Sequence, residues 1–97
     1  MPVARHYVMI AADGKEDALR SALAELAGKV RPLEGCEGVE LLQDTRDRTC
    51  FMFIERWASI DAHKSAGRLL GREALDAVMA VIDEPPQGRY LDILPAD

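Results

Sequence analysis

Of the two histidines in this chain, His6 and His63, the second is the better placed to move a proton. Ser59 is a good N-cap, which makes Ile60 the first helical residue and sets His63 one turn later on the same side. Ile60 is expected to pack against a sheet, so His63 should point inward beneath the helix. Just upstream, Thr49 to Trp57 alternates as a strand. One face carries Cys50, Met52, Ile54 and Arg56, and the other carries Phe51, Phe53, Glu55 and Trp57. The second face is expected to meet the helices, so an imidazole, a carboxyl and an indole would converge on one helix–sheet cleft. An imidazole titrates near neutral pH and can take a proton from a phenol or an enol. The rings of Trp57 and Phe53 would stack against a flat substrate.

Plainer roles compete with these. His63 can be a buried helix residue bonded to a neighbouring carbonyl. Glu55 can be an ion-pair partner for an arginine, with Arg56 and Arg89 as candidates, and Trp57 can be core. Met9 and Met52 read as gap-fillers. Arg68 and Arg72 could meet an anionic substrate or simply be solvated. No metal site is expected, because the histidines lie far apart and no acids cluster at ligand spacing. No phosphate loop, nucleophile elbow or dinucleotide fingerprint is present, so no cofactor is expected.

The elements that must position these groups follow from periodicity. Tyr7 to Ala12 is apolar on both alternating faces, a strand covered on both sides. Asp13 and Glu16 read as a capping box for a helix whose stripe is Leu19, Leu23, Leu26 and Val30. Val39 to Leu42 begins a second strand that turns through Asp44–Asp47 into the third. Gly67 and Gly71 are expected to break the next region into a short helix and a longer one, the latter carrying Leu70, Ala74, Val78 and Ile82. Pro85-Pro86 stops it, and Gly88 to Leu94 reads as the last strand. The order strand, helix, strand, strand, helix, strand is the α+β, ferredoxin-like βαββαβ plan with a four-stranded antiparallel sheet. Both helical regions then cover one sheet face, while the first and third strands are apolar on the other as well. A second copy is the economical cover, giving a homodimer through the sheet faces.

The 97 residues fit a single domain spanning 1–97, and 48% hydrophobic with 30% charged residues is an ordinary soluble mixture. With 12 basic against 17 acidic side chains the net charge is −5, and no basic stretch stands out, which argues against nucleic acid or an anionic membrane as partner. Cys36 and Cys50 form no CxxC pair and read as reduced thiols. The first residues lack a basic region followed by an apolar core, and no apolar run spans a bilayer, so a cytoplasmic protein is expected.

The segment Phe51-Met-Phe-Ile-Glu55-Arg-Trp57-Ala-Ser59-Ile-Asp61-Ala-His63-Lys-Ser65 resembles the signature of the antibiotic biosynthesis monooxygenase family. That signature is an aromatic strand ending in Glu-x-Trp, then a helix with a His six residues after the Trp. Leu33-Glu-Gly35-Cys-Glu-Gly38-Val39 is similar to the family's approach to its second strand, and the loop with Pro85-Pro86 and the short final strand match in length and order. The resemblance implies a dimeric α/β-barrel of two facing sheets. It implies an activity such as cofactor-independent oxygenation of a small quinol-like or polycyclic phenolic substrate. It also makes His6 and Tyr7 candidates, since relatives often place a polar pocket residue there on the first strand. The haem-degrading branch uses an Asn, a Trp and a His about ten residues beyond that Trp. This chain has no Asn, His63 in the Trp position and Glu73 ten residues on, so haem is not expected. The polyketide-tailoring oxygenases also use an Asn with a Trp, so the absence of Asn weakens a simple carry-over of their mechanism to this chain. The expectation is therefore a monooxygenase of a small aromatic, with His63 catalytic and Trp57, Phe53, Glu55, His6 and Tyr7 binding substrate. An isomerase of a small hydroxyketone and a non-catalytic ligand-binding dimer are the alternatives.

Overall fold

The alternation read along residues 49–57 is realised in the computed structural model, which describes residues 1–96. The chain forms β1 (Val3–Ile10), α1 (Glu16–Val30), β2 (Cys36–Gln43), β3 (Cys50–Trp57), α2 (Ile60–Leu70), a 3-10 turn (Arg72–Leu75), α3 (Asp76–Met79) and β4 (Gln87–Asp92). The strands make one antiparallel sheet in the order β2-β3-β1-β4. This is the ferredoxin-like plan expected from the order of elements.

Strand pleating decides which residues enter the core. Phe51, Phe53, Glu55 and Trp57 are buried on one face of β3, and Val3, Arg5, Tyr7 and Met9 stand opposite them in register on β1. The α1 stripe of Leu19, Leu23, Leu26 and Val30, with Ala27, closes over this face. Met52 and Ile54 occupy the other face with Val8 and His6 in register, and its margins expose Ile10, Leu42 and Leu91 at 43–44%. The Asp44–Asp47 turn forms as read, with the Asp44 carboxylate accepting from the Arg46 and Asp47 amides.

Several local readings are corrected. β1 begins four residues before Tyr7, because its pairing with β3 continues to Val3↔Trp57. No side chain caps α1: the chain turns through Gly14, and Lys15 is the N-cap residue, leaving Asp13 outside the helix. Gly67 does not interrupt α2. The break falls at Gly71, whose φ of 80° no helix tolerates, and only the 3-10 turn and a single α-turn follow. The longer helix expected from Leu70 to Ile82 is thus absent, and Ile82 instead bridges Ala11. Among the described residues no helix is long and apolar enough to cross a membrane.

The loop between α1 and β2 fixes how closely α2 can approach. Gly35, at φ +88°, accepts a hydrogen bond from the Ala58 amide, and a Cβ there would stand 2.7 Å from Ala62 Cβ. Gly35→Ala should therefore destabilise the protein by about 1–3 kcal/mol, through left-handed strain and a clash between two backbone-anchored groups. Denaturant unfolding measures it, and an unchanged midpoint would show that α2 is not held at this point.

Candidate active site

Ser59 caps α2 as read, its hydroxyl accepting from the Ala62 amide at 3.0 Å. The helix does not, however, turn Ile60 inward; that side chain is 38% exposed. The inward stripe is Ala62, Ala66 and Leu70, small residues that let the helix sit close to the sheet, and His63 lies beside it. The imidazole still points beneath the helix, with 18% of its side chain exposed. His63 Nδ1 is 2.6 Å from the Tyr90 hydroxyl, and Nε2 is 3.2 Å from the Tyr7 hydroxyl and 3.7 Å from Glu55 Oε1. The Trp57 and Tyr90 rings meet it edge to face at 5.5 and 5.3 Å.

Glu55 is buried, and its Oε1 accepts the Trp57 indole N–H at 2.9 Å. The arginine partners considered from sequence are corrected. Arg56 follows Glu55 on the opposite strand face, and Arg89 is the register partner of His6, also on that face. The arginine on the covered side is Arg5, directly across from both Glu55 and Tyr90. Its guanidinium carbon lies 4.9 Å from the Tyr7 ring centroid and 4.3 Å from that of Tyr90.

Burial governs the titration of the cluster. It pushes the Glu55 carboxyl up, opposed by the indole hydrogen bond and by Arg5. It pushes the Tyr7 phenol up, opposed mainly by Arg5. It pulls His63 below its ordinary 6.5, and the Arg5 and Lys64 charges act in the same direction. All three groups are displaced toward their uncharged forms.

These three groups line a cavity of about 220 Å³. Met9, Phe53 and Trp57 from the sheet, Leu26 and Val30 from α1, and Ala66, Gly67 and Leu70 from α2 enclose it. Leu75 and Met79, both partly exposed, stand where the elements after Gly71 complete the wall. Among the described residues, no three His, Cys, Asp or Glu side chains come together as a metal-holding group.

Of the sequence candidates, His63, Trp57, Phe53, Glu55 and Tyr7 share this cavity. His6 does not: adjacent to Tyr7 on β1, it projects from the opposite face, paired in register with Ile54. Arg68 is exposed and bonds only Ser65 of its own helix. Sequence reasoning missed Arg5 and Tyr90. Counting by twos from Tyr7 would have found Arg5 and excluded His6. Tyr90 needed the β1–β4 register.

The model of the antibiotic biosynthesis monooxygenase family matches residues 2–68. No curated protein matches the chain. Among solved structures, the chain is similar to candidate antibiotic biosynthesis monooxygenases from three bacteria. The Bordetella bronchiseptica protein is 18% identical with a TM-score of 0.84, over 97% of this chain and 98% of that one. The Chloroflexus aurantiacus protein is 22% identical with a TM-score of 0.82, over 100% and 97%. The Nitrosomonas europaea protein is 20% identical with a TM-score of 0.84, over 98% and 100%. At these identities the likeness establishes the shared fold.

The Glu55–Trp57 pair makes a direct prediction. Glu55→Leu strands a buried indole N–H and should cost about 1–3 kcal/mol. Glu55→Gln keeps a neutral acceptor in the same place and should stay within about 1 kcal/mol of the parent. Chemical denaturation followed by Trp57 fluorescence compares the two, and equal losses would show that the hydrogen bond is not what the site requires.

Proposed function

Because the chain belongs to the antibiotic biosynthesis monooxygenase family, we propose that its helix–sheet cavity is the active site of a cofactor-independent monooxygenase of a small quinol-like or polycyclic phenolic substrate. The observation that carries the reading is the placement of His63. Its Nε2 faces Tyr7 and Glu55, which line with it a cavity whose other walls are mainly apolar side chains. Burial shifts the imidazole toward its neutral form, the form that can accept a proton. The base role uses the tautomer in which Nδ1–H donates to the Tyr90 oxygen, and Nε2, which otherwise accepts the Tyr7 hydroxyl, takes the substrate proton once that hydroxyl turns to the substrate. A cavity of about 150 Å³ lined by apolar side chains admits benzene, so 220 Å³ favours one or two fused rings.

In the proposed reaction the substrate hydroxyl gives its proton to Nε2. The electron-rich phenolate passes an electron to dioxygen, and the radical pair combines at a hydrogen-bearing ring carbon ortho or para to the oxygen. Loss of that carbon's hydrogen and cleavage of the O–O bond leave a carbonyl there. One oxygen atom remains in the product, and the other leaves as water with the proton returned by His63. The four electrons that reduce dioxygen all come from the substrate. The phenol of Tyr7, held protonated by burial, offers a hydrogen bond to the developing oxyanion.

Turnover of some member of a panel of phenols, naphthols and hydroquinones, read as oxygen uptake, tests the reading. His63→Ala should lower kcat by roughly 10²–10⁴-fold, the usual contribution of a positioned acid–base group. Activity of the parent should rise with pH as His63 loses its proton, with the acid limb centred below the ordinary 6.5 because the folded site disfavours imidazolium. Full activity in His63→Ala would remove the catalytic role. Proton exchange on a hydroxyketone without oxygen uptake would favour an isomerase, and binding without either reaction a ligand-binding protein.

We also propose that a second copy covers the open sheet face. Val8, Met52 and Ile54 supply its apolar centre, and Glu40, Arg56 and Arg89 on the same face supply both signs of charge for a self-complementary contact. Ile54→Asp should convert a dimer into monomer or unfolded chain, since an unpaired buried charge costs about 3–5 kcal/mol. Sedimentation equilibrium decides it. A stable parent monomer at micromolar concentration, or a folded dimeric Ile54→Asp, would count against this interface.

A further inference from the structure

Arg5 is the one charged side chain on the covered face of β1, and no carboxylate lies within ion-pair distance of it among the described residues. Its Nε is buried without a hydrogen-bond partner, which leaves a donor unsatisfied. The head group is in cation–π contact with two rings, its carbon 4.9 Å from the Tyr7 centroid and 4.3 Å from that of Tyr90. The space for this is built into β4. Gly88 is the register partner of Tyr7, and a Cβ at Gly88 would stand 2.7 Å from an Arg5 guanidinium nitrogen and 2.9 Å from the Tyr7 ring. The two rings so held carry the two hydroxyls that meet opposite nitrogens of His63.

We propose that Arg5 is a positioning residue for His63: its guanidinium, in contact with both the Tyr7 and Tyr90 rings, aligns their hydroxyls on opposite imidazole nitrogens and thereby fixes the ring's orientation and tautomer. The consequence for turnover rests on the reading of His63 as the proton acceptor; the geometry of the contacts does not. An imidazole has two similar neutral tautomers, and which one forms is set by what each nitrogen meets. A phenol free to rotate out of line would let both coexist. A planar, delocalised guanidinium can pack on aromatic rings through its face as well as through its charge, which an ammonium cannot do. The guanidinium also places a permanent positive charge near the imidazole, which opposes its protonation. The other groups facing His63 are Glu55 and Trp57 from β3, Tyr7 from β1 and Tyr90 from β4, with Lys64 on its own helix.

Nitrogen-15 NMR of the labelled full chain reads the His63 tautomer and its titration without any substrate, so this test stands apart from that of the monooxygenase reading. The parent should show one neutral tautomer and a titration midpoint below the ordinary imidazole value. Arg5→Met, which keeps a straight apolar stem, should bring the nitrogen shifts to those of a tautomer mixture and raise the midpoint. Arg5→Lys should mix the tautomers while keeping the midpoint low, because the charge survives and the flat face does not. If Arg5→Met fails to fold, Arg5→Lys and Tyr90→Phe carry the test. Tyr90→Phe keeps a ring beside Arg5 and removes only the hydroxyl, so the Nδ1 shift must move. A folded Arg5 variant with parent-like nitrogen shifts, or Tyr90→Phe with an unchanged Nδ1 shift, overturns the proposal. On a turned-over substrate Arg5→Met should lose kcat on the order of 10–10²-fold with little change in KM, the scale expected of a misaligned catalytic group. A loss confined to KM would overturn the consequence for turnover.

Discussion

Two residues apart on the covered face of β3, the Trp57 indole and the Glu55 carboxyl make each other's burial possible. An indole N–H removed from water needs an acceptor, and a buried carboxyl needs a donor. Strand alternation supplies both from one strand, with a 2.9 Å bond between them. The Oε1 atom that accepts the indole proton is also the one 3.7 Å from His63 Nε2. The indole therefore holds the acid where the capped helix α2 delivers the imidazole. Without the pair, the end of the cavity nearest Trp57 would be a place for another aliphatic side chain.

The polar groups of the cavity are also placed so that they prefer to be neutral. Burial is the first cause of the displacement at Glu55, at Tyr7 and at His63, upward for the acids and downward for the base. Arg5 acts on all three from beside the cavity. It partly relieves the two acids, and it reinforces the neutrality of the imidazole. Each group is thus displaced toward its uncharged form beside a cavity walled mainly by apolar side chains. That combination differs from a simple ion pair, in which Glu55 would sit against an arginine and be locked as an anion.

Much of this was legible before the structure, and the limits have physical causes. Period-two alternation in residues 51–57 sorted Phe53, Glu55 and Trp57 onto the helix-facing side, because pleating leaves no other choice. Applied with the same strictness to β1, it would have paired Tyr7 with Arg5 and sent His6 to the far face. The family likeness placed His6 and Tyr7 together, which adjacent strand residues cannot satisfy on one face. The orientation of His63 came out as expected although Ile60 did not. Both lie near one side of α2, but the stripe that touches the sheet is centred on Ala62 and Ala66, where the absence of bulk permits close approach. Tyr90 was beyond reach, since its meeting with His63 depends on the register of β4 against β1, a contact far apart in sequence.

The cavity itself owes its existence to small residues and to a break. Ala62 sits against Gly35, so the start of α2 is drawn down onto the sheet edge near Trp57. Ala66 and Gly67 present little side chain over Phe53 and Tyr7, and a leucine at either position would occupy the space that now lies open. At Gly71 the chain leaves the helical path, and the wall beyond it comes from one 3-10 turn and one α-turn instead of a continuous helix. His63, Glu55, Tyr7 and Tyr90 thus stand on strands of one sheet and on a capped helix. The apolar wall at Leu75 and Met79 is carried by single turns. Positional accuracy is needed for proton transfer, and a rigid scaffold provides it. Shape at the periphery tolerates short, irregular elements, and loops of this kind can change without disturbing a sheet. The same sheet can therefore keep its buried acid, indole and imidazole while the turns after Gly71 shape the outer wall of the cavity.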